Sequence, residues 1–77
     1  MKKKGNTISL HVKHKRKMTK LTQPELAMKV GVGLRFIRDL EQGKMSMRID
    51  KVNEVLRLFG DELGVVSMDR EKLINNE

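Results

Sequence analysis

Apolar residues recur along this chain at helical spacing, in short runs broken by glycines and clusters of charge. A first helix is expected from about Thr7 to Lys17. In it Ile8 and Val12 lie four apart on one face, and Lys13, Lys15, Arg16 and Lys17 surround the rest. Leu10 falls off that face. A second helix opens on a capping box, Thr22-Gln23-Pro24-Glu25, in which Thr22 accepts from the Glu25 amide and Glu25 reaches back to Thr22. Pro24 stands in the first turn, where no intrahelical amide bond is lost. Leu26, Ala27 and Val30 form the inward stripe, and Gly31 supplies the left-handed residue that ends the helix.

Only Val32 and Gly33 separate this helix from a third, expected from roughly Gly33 to Gln42 and closed by Gly43. Ile37 and Leu40 point inward, leaving Leu34, Arg35, Arg38, Asp39 and Gln42 for other faces. Ser46 is expected to cap a fourth helix, whose stripe of Ile49, Val52, Val55, Leu56 and Phe59 ends at Gly60. Leu63-Gly64-Val65-Val66 is too short for a helix and reads as a strand in need of a partner strand. The expected organisation is all-α with that one short strand. Residues 1–6 form a flexible basic arm, 7–60 a compact domain of four to five helices, 61–67 the strand segment and 68–77 a polar tail.

The most informative block is QPELAMKVGVGLRFIRDLEQ, residues 23–42. Two short helices crossing steeply over a three- to four-residue turn make four demands on a sequence. A small residue is needed at the crossing, and Ala27 stands there. The turn needs a residue tolerant of positive φ, which is Gly31. An apolar plug is needed in the turn, and Val32 fits. Ile37 and Leu40 then pack the second helix back onto the first. All four occur at the required spacing, so the block reads as a helix-turn-helix with its recognition helix at about residues 33–42.

Charge sharpens this picture. The 77 residues carry a net charge of +7, which points to polyanionic partners. Residues 1–48 hold 13 Lys or Arg against 3 Asp or Glu, a balance of +10, whereas residues 49–77 hold 4 against 7, a balance of −3. The absence of cysteine excludes a disulfide framework and a thiolate zinc site. Met1-Lys2-Lys3-Lys4 looks like the start of an export signal, but no apolar run follows it, so a cytoplasmic protein is expected. No Ser-His-Asp set, phosphate loop or cysteine nucleophile is present, and no enzymatic activity or cofactor is expected. His11 and His14 lie three apart, but two imidazoles without a neighbouring carboxylate or thiol make a poor metal site. RNA binding fits the charge but not the composition, since two phenylalanines without Trp or Tyr offer little to stack on unpaired bases.

The stretches VKHKRKMTKLTQPELAMKVGV and LRFIRDLEQGK resemble the Xre/Cro-type helix-turn-helix superfamily, which includes phage repressors, over about residues 8–60. Within it, GVGLRFIRDLEQGK, RIDKVNEVLRLFG and ELGVV are most similar to the HipB-type antitoxins. Those are dimeric autorepressors paired with a HipA-type serine/threonine kinase toxin. The resemblance implies a homodimer on double-stranded DNA with an inverted-repeat operator, and a dimer interface at Leu63, Gly64, Val65 and Val66. A stand-alone phage-type regulator, or an antitoxin whose main task is to hold the kinase, remain alternatives.

The family pattern puts base-reading residues at Leu34, Arg35 and Asp39. Arg35 is suited to guanine O6 and N7, worth about 1–3 kcal/mol of discrimination; its alternative is an ion pair with Asp39 worth about 0.3–0.5 kcal/mol. Leu34 either meets a thymine methyl or covers part of the core. Asp39 can accept from cytosine N4, although pairing with Arg35 or Arg38 suits an acid near phosphates better. Gln23 stands at a helix start, where its side chain and free amides can hold a phosphate, and Pro24 removes one of those amides. Arg38, Gln42, Lys44 and Arg48 are further phosphate candidates. Lys2 to Lys4 either follow a groove or form a solubilising tail. Arg16 and Glu41 match a pair that forms a structural salt bridge in phage repressors, so the resemblance assigns Glu41 to architecture. Phe36 is expected to be partly buried, and the methionines to fill core and connectors.

Overall fold

The computed structural model describes residues 7–67. Within them lie four helices, α1 (Thr7–Met18), α2 (Gln23–Val30), α3 (Leu34–Glu41) and α4 (Ile49–Leu58). The expectations for the basic arm, residues 1–6, and for the polar tail, residues 68–77, fall outside the described residues. None of the described helices is long and apolar enough to cross a membrane.

Helix α3 is the centre of the packing, with α1 and α2 both against it and α4 against α2. The core comprises Val12 of α1, Leu26 and Ala27 of α2, Ile37 and Leu40 of α3, and Val52, Val55 and Leu56 of α4. Ile8, Val30, Val32, Phe36 and Phe59, half-buried, close its edges. The inward stripes read from periodicity are therefore buried or half-buried, with Ile49 the exception. It lies on the correct face of α4 but in the first turn, where it is 67% exposed. Helical spacing assigns a face; it does not say where along the helix the neighbouring elements stop.

The start of α2 follows its sequence closely. Thr22 is extended at φ −81°, ψ 166°; its hydroxyl accepts from the Glu25 amide at 3.2 Å and its own amide donates to Glu25 Oε1 at 2.8 Å. The Thr22 amide, and after it the Thr22 hydroxyl, hold the Glu25 carboxyl below its ordinary value. Thr22→Ala is expected to lower stability by about 0.5–2 kcal/mol, measured by urea unfolding at neutral pH. Because the folded carboxyl is the stronger acid, its contribution is present above the ordinary value of 4.5 and fades as pH falls below it. A variant as stable as the parent at neutral pH would show that the cap contributes nothing.

At the other end Gly31 has φ 86° and its amide bonds Ala27 O at 2.9 Å, so the turn into α3 is made by the residue the motif requires. Helix α1 ends in the same left-handed manner without a glycine: Lys20 adopts φ 59°, and the Leu21 amide reaches back to Arg16 O at 3.1 Å.

Three expectations differ from what this chain shows. Ser46 does not cap α4. The helix begins at Ile49 with Arg48 as its N-cap residue and no side-chain cap bond, because Met47 packs on the core first and delays the helix start. Met18 and Met28 are exposed on their helices instead of filling the core; Met45 and Met47 lie in the connector as expected, Met45 exposed and Met47 half-buried. No strand forms among the described residues. Leu63 packs on the core and its amide donates to Asn53 Oδ1 at 2.8 Å, while Gly64, Val65 and Val66 stand out in solvent. Among the described residues no strand pairs with this segment.

Candidate nucleic-acid interface

Helix α3 divides cleanly by face. Ile37, Leu40 and Glu41 are buried. At about 3.6 residues per turn, Arg35 and Gln42 lie roughly opposite them, flanked by Arg38 and Asp39. Arg35, Arg38 and Gln42 are exposed, and Asp39 and Leu34 are half-exposed. The helix N-cap is Gly33, and Gln42 is the C-cap, so α3 falls where the sequence put the third helix.

The charges on this face are not paired as expected. Asp39 turns away from both Arg35 and Arg38 and meets Lys44 Nζ at 3.6 Å. The cause is the end of α3. Gly43 takes a left-handed conformation, and the Lys44 amide then folds back to Asp39 O at 3.0 Å, which brings its side chain over the last turn. Neither Arg35 nor Arg38 forms an ion pair with any described residue. Arg48, a phosphate candidate, is engaged by Asp50 at 2.7 Å through Nη2 and 3.2 Å through Nε. Both of those groups are well exposed, so the pair contributes little and exchanges readily with another anion.

A buried polar junction supports the face from behind. Arg16 donates through Nε to Glu41 Oε2 at 2.6 Å, through Nη2 to Glu41 Oε1 at 3.0 Å, and through Nη1 to Leu21 O at 2.8 Å. The Glu41 side chain is 1% exposed and that of Arg16 13%. This is the salt bridge between the first and third helices that the resemblance implies. Sequence reasoning missed its third arm. Gln23 Nε2 donates to Glu41 Oε1 at 3.1 Å, so the side chain expected to reach a phosphate is turned inward.

A second long-range contact also escaped the sequence. His11 Nε2 lies 2.8 Å from Asp61 Oδ2, joining α1 to the segment after α4 across fifty positions. The hydrogen bond to His11 is the main reason the Asp61 carboxyl is held below its ordinary value. His14, by contrast, is exposed, and among the described residues no three metal-ligating side chains gather.

Two short helices across a left-handed glycine, the second presenting arginines outward over a buried acid–base junction, make this a helix-turn-helix DNA-binding fold. The chain belongs to the helix-turn-helix transcriptional regulators. Over 52 residues it is 48% identical to the uncharacterized HTH-type transcriptional regulator y4mF of Sinorhizobium fredii, and the match covers 68% of each chain. No family model matches the chain.

Proposed function

We propose that this regulator is a sequence-specific repressor that binds an inverted-repeat operator as a homodimer in the cytoplasm. In this reading it is the antitoxin and autorepressor of a HipBA-like operon, partnered by a HipA-type kinase toxin. The observation that carries the proposal is the outward face of α3, where Arg35 and Arg38 stand exposed without an acidic partner among the described residues. An unpaired guanidinium at the start of a recognition helix is free to form the bidentate bond to guanine, the commonest specific contact in the major groove. Leu34 and Asp39 flank it as further base-facing residues, Asp39 with its charge moderated by Lys44. Arg38, Gln42, Lys44 and Arg48 follow the phosphates, and the free amides at the start of α2, rather than the Gln23 side chain, face the backbone.

The homodimer reading rests on Leu63 to Val66. Val65 and Val66 are 103% and 85% exposed, an arrangement that favours pairing with the same segment of a second copy. A stand-alone regulator without a toxin is the second reading, favoured by the likeness to y4mF, whose name carries regulation alone.

Selection from a random duplex pool, followed by anisotropy titration and sedimentation, tests the proposal. An inverted repeat with half-site centres about 34 Å apart is expected, bound by a dimer that deletion of residues 63–66 weakens. No enriched sequence would overturn base-specific recognition. A deletion variant that sediments as an intact dimer would move the interface elsewhere. Failure to retain a kinase from the same operon would leave the stand-alone reading.

A further inference from the structure

The buried junction at Glu41 has more members than a salt bridge needs. Arg16 alone occupies both carboxylate oxygens, at 2.6 and 3.0 Å. Gln23 nevertheless adds a third donor at 3.1 Å, from the first residue of α2 to the last residue of α3. Among the described residues this is the only side-chain hydrogen bond that joins those two helices. The rest of their contact is apolar, through Leu26, Ala27, Ile37 and Leu40. Apolar contact supplies most of the attraction between the helices but is non-directional. A hydrogen bond to a carboxylate already immobilised by a bidentate arginine is directional and short in reach.

We propose that Gln23 is a positioning residue for base recognition: its amide, tied to buried Glu41, fixes the angle at which α3 presents Arg35, without touching DNA. The inference rests on the proposed role of α3 as the base-reading helix. It departs from the position-based expectation that the Gln23 side chain holds a phosphate. The two roles differ in what they change. A phosphate contact is independent of sequence, so losing it weakens every duplex alike. A tilt of the recognition helix spoils the contacts that discriminate bases and spares the electrostatic attraction to the backbone.

The test uses the full chain, with the duplex enriched by the parent protein and a scrambled duplex of the same length. Affinities are measured under conditions where urea unfolding shows both proteins to be fully folded. Gln23→Ala is expected to weaken the selected duplex by about tenfold, which corresponds to about 1.4 kcal/mol. The scrambled duplex should change by less than about twofold, with the salt dependence of both unaltered. Gln23→Glu places a carboxylate against Glu41 and should lower the urea midpoint, without DNA, beyond the alanine variant. Equal weakening of both duplexes, or a Gln23→Glu midpoint no lower than that of Gln23→Ala, would overturn the positioning role. So would an unchanged affinity for the selected duplex. Failure of the parent protein to enrich any duplex would instead remove the base-reading helix, and the positioning role with it.

Discussion

Glu41→Ala is expected to destabilise the protein by about 3–5 kcal/mol, measured by urea unfolding. The change leaves Arg16, whose side chain is 13% exposed, with the Leu21 carbonyl as its remaining partner. A guanidinium removed from water and stripped of its carboxylate has its desolvation penalty uncompensated. A chain of this length has a total stability of roughly 4–12 kcal/mol, so the loss is a large fraction of the whole. The sign of the effect reverses when both charges are removed. Arg16→Met combined with Glu41→Leu should recover most of the loss, because the pair's attraction only about offsets the cost of burying it. A single Glu41→Ala variant within about 0.5 kcal/mol of the parent would show that the site relaxes to admit water.

Arg35→Ala acts on recognition instead. The side chain is exposed and makes no ion pair with a described residue, so its removal should leave the urea midpoint nearly unchanged. Affinity for the selected operator should fall by about 5- to 150-fold, the equivalent of 1–3 kcal/mol for a bidentate guanine contact. Preference at one base pair in each half-site should relax while the other positions keep theirs. An unchanged base preference would remove Arg35 from readout and leave it as one more source of electrostatic attraction. The two variants separate the two layers of α3. Glu41 is expected to govern whether the helix is held in place, and Arg35, on the proposed reading, which bases it prefers.

The exposed partners of Asp39 show why such layers are hard to judge from spacing. Along a helix, Arg35 and Asp39 are four apart and Arg38 is adjacent, so an ion pair with one of them is the natural expectation. Lys44 lies beyond the helix and has no helical spacing to Asp39 at all. It arrives there because Gly43 reverses the chain and the Lys44 amide returns to the Asp39 carbonyl. The result frees both arginines, which strengthens the candidate site beyond what its sequence promised.

The sequence by itself determined the helix-turn-helix. The capping box at Thr22 and Glu25, the left-handed Gly31 and the stripes of α2 and α3 are signals carried within a few residues, where backbone geometry alone decides the outcome. Other features join residues far apart in the chain, and no local rule reaches them. The Gln23 amide found Glu41 eighteen positions away, and His11 found Asp61 fifty away. Asn53 took the Leu63 amide and so tied the start of that segment to α4. Each of these polar groups had several possible partners, water among them. Only the packing of α1 and α2 against α3, and of α4 against α2, brought the chosen partner within hydrogen-bond reach while excluding water from Glu41, and that choice belongs to the tertiary structure.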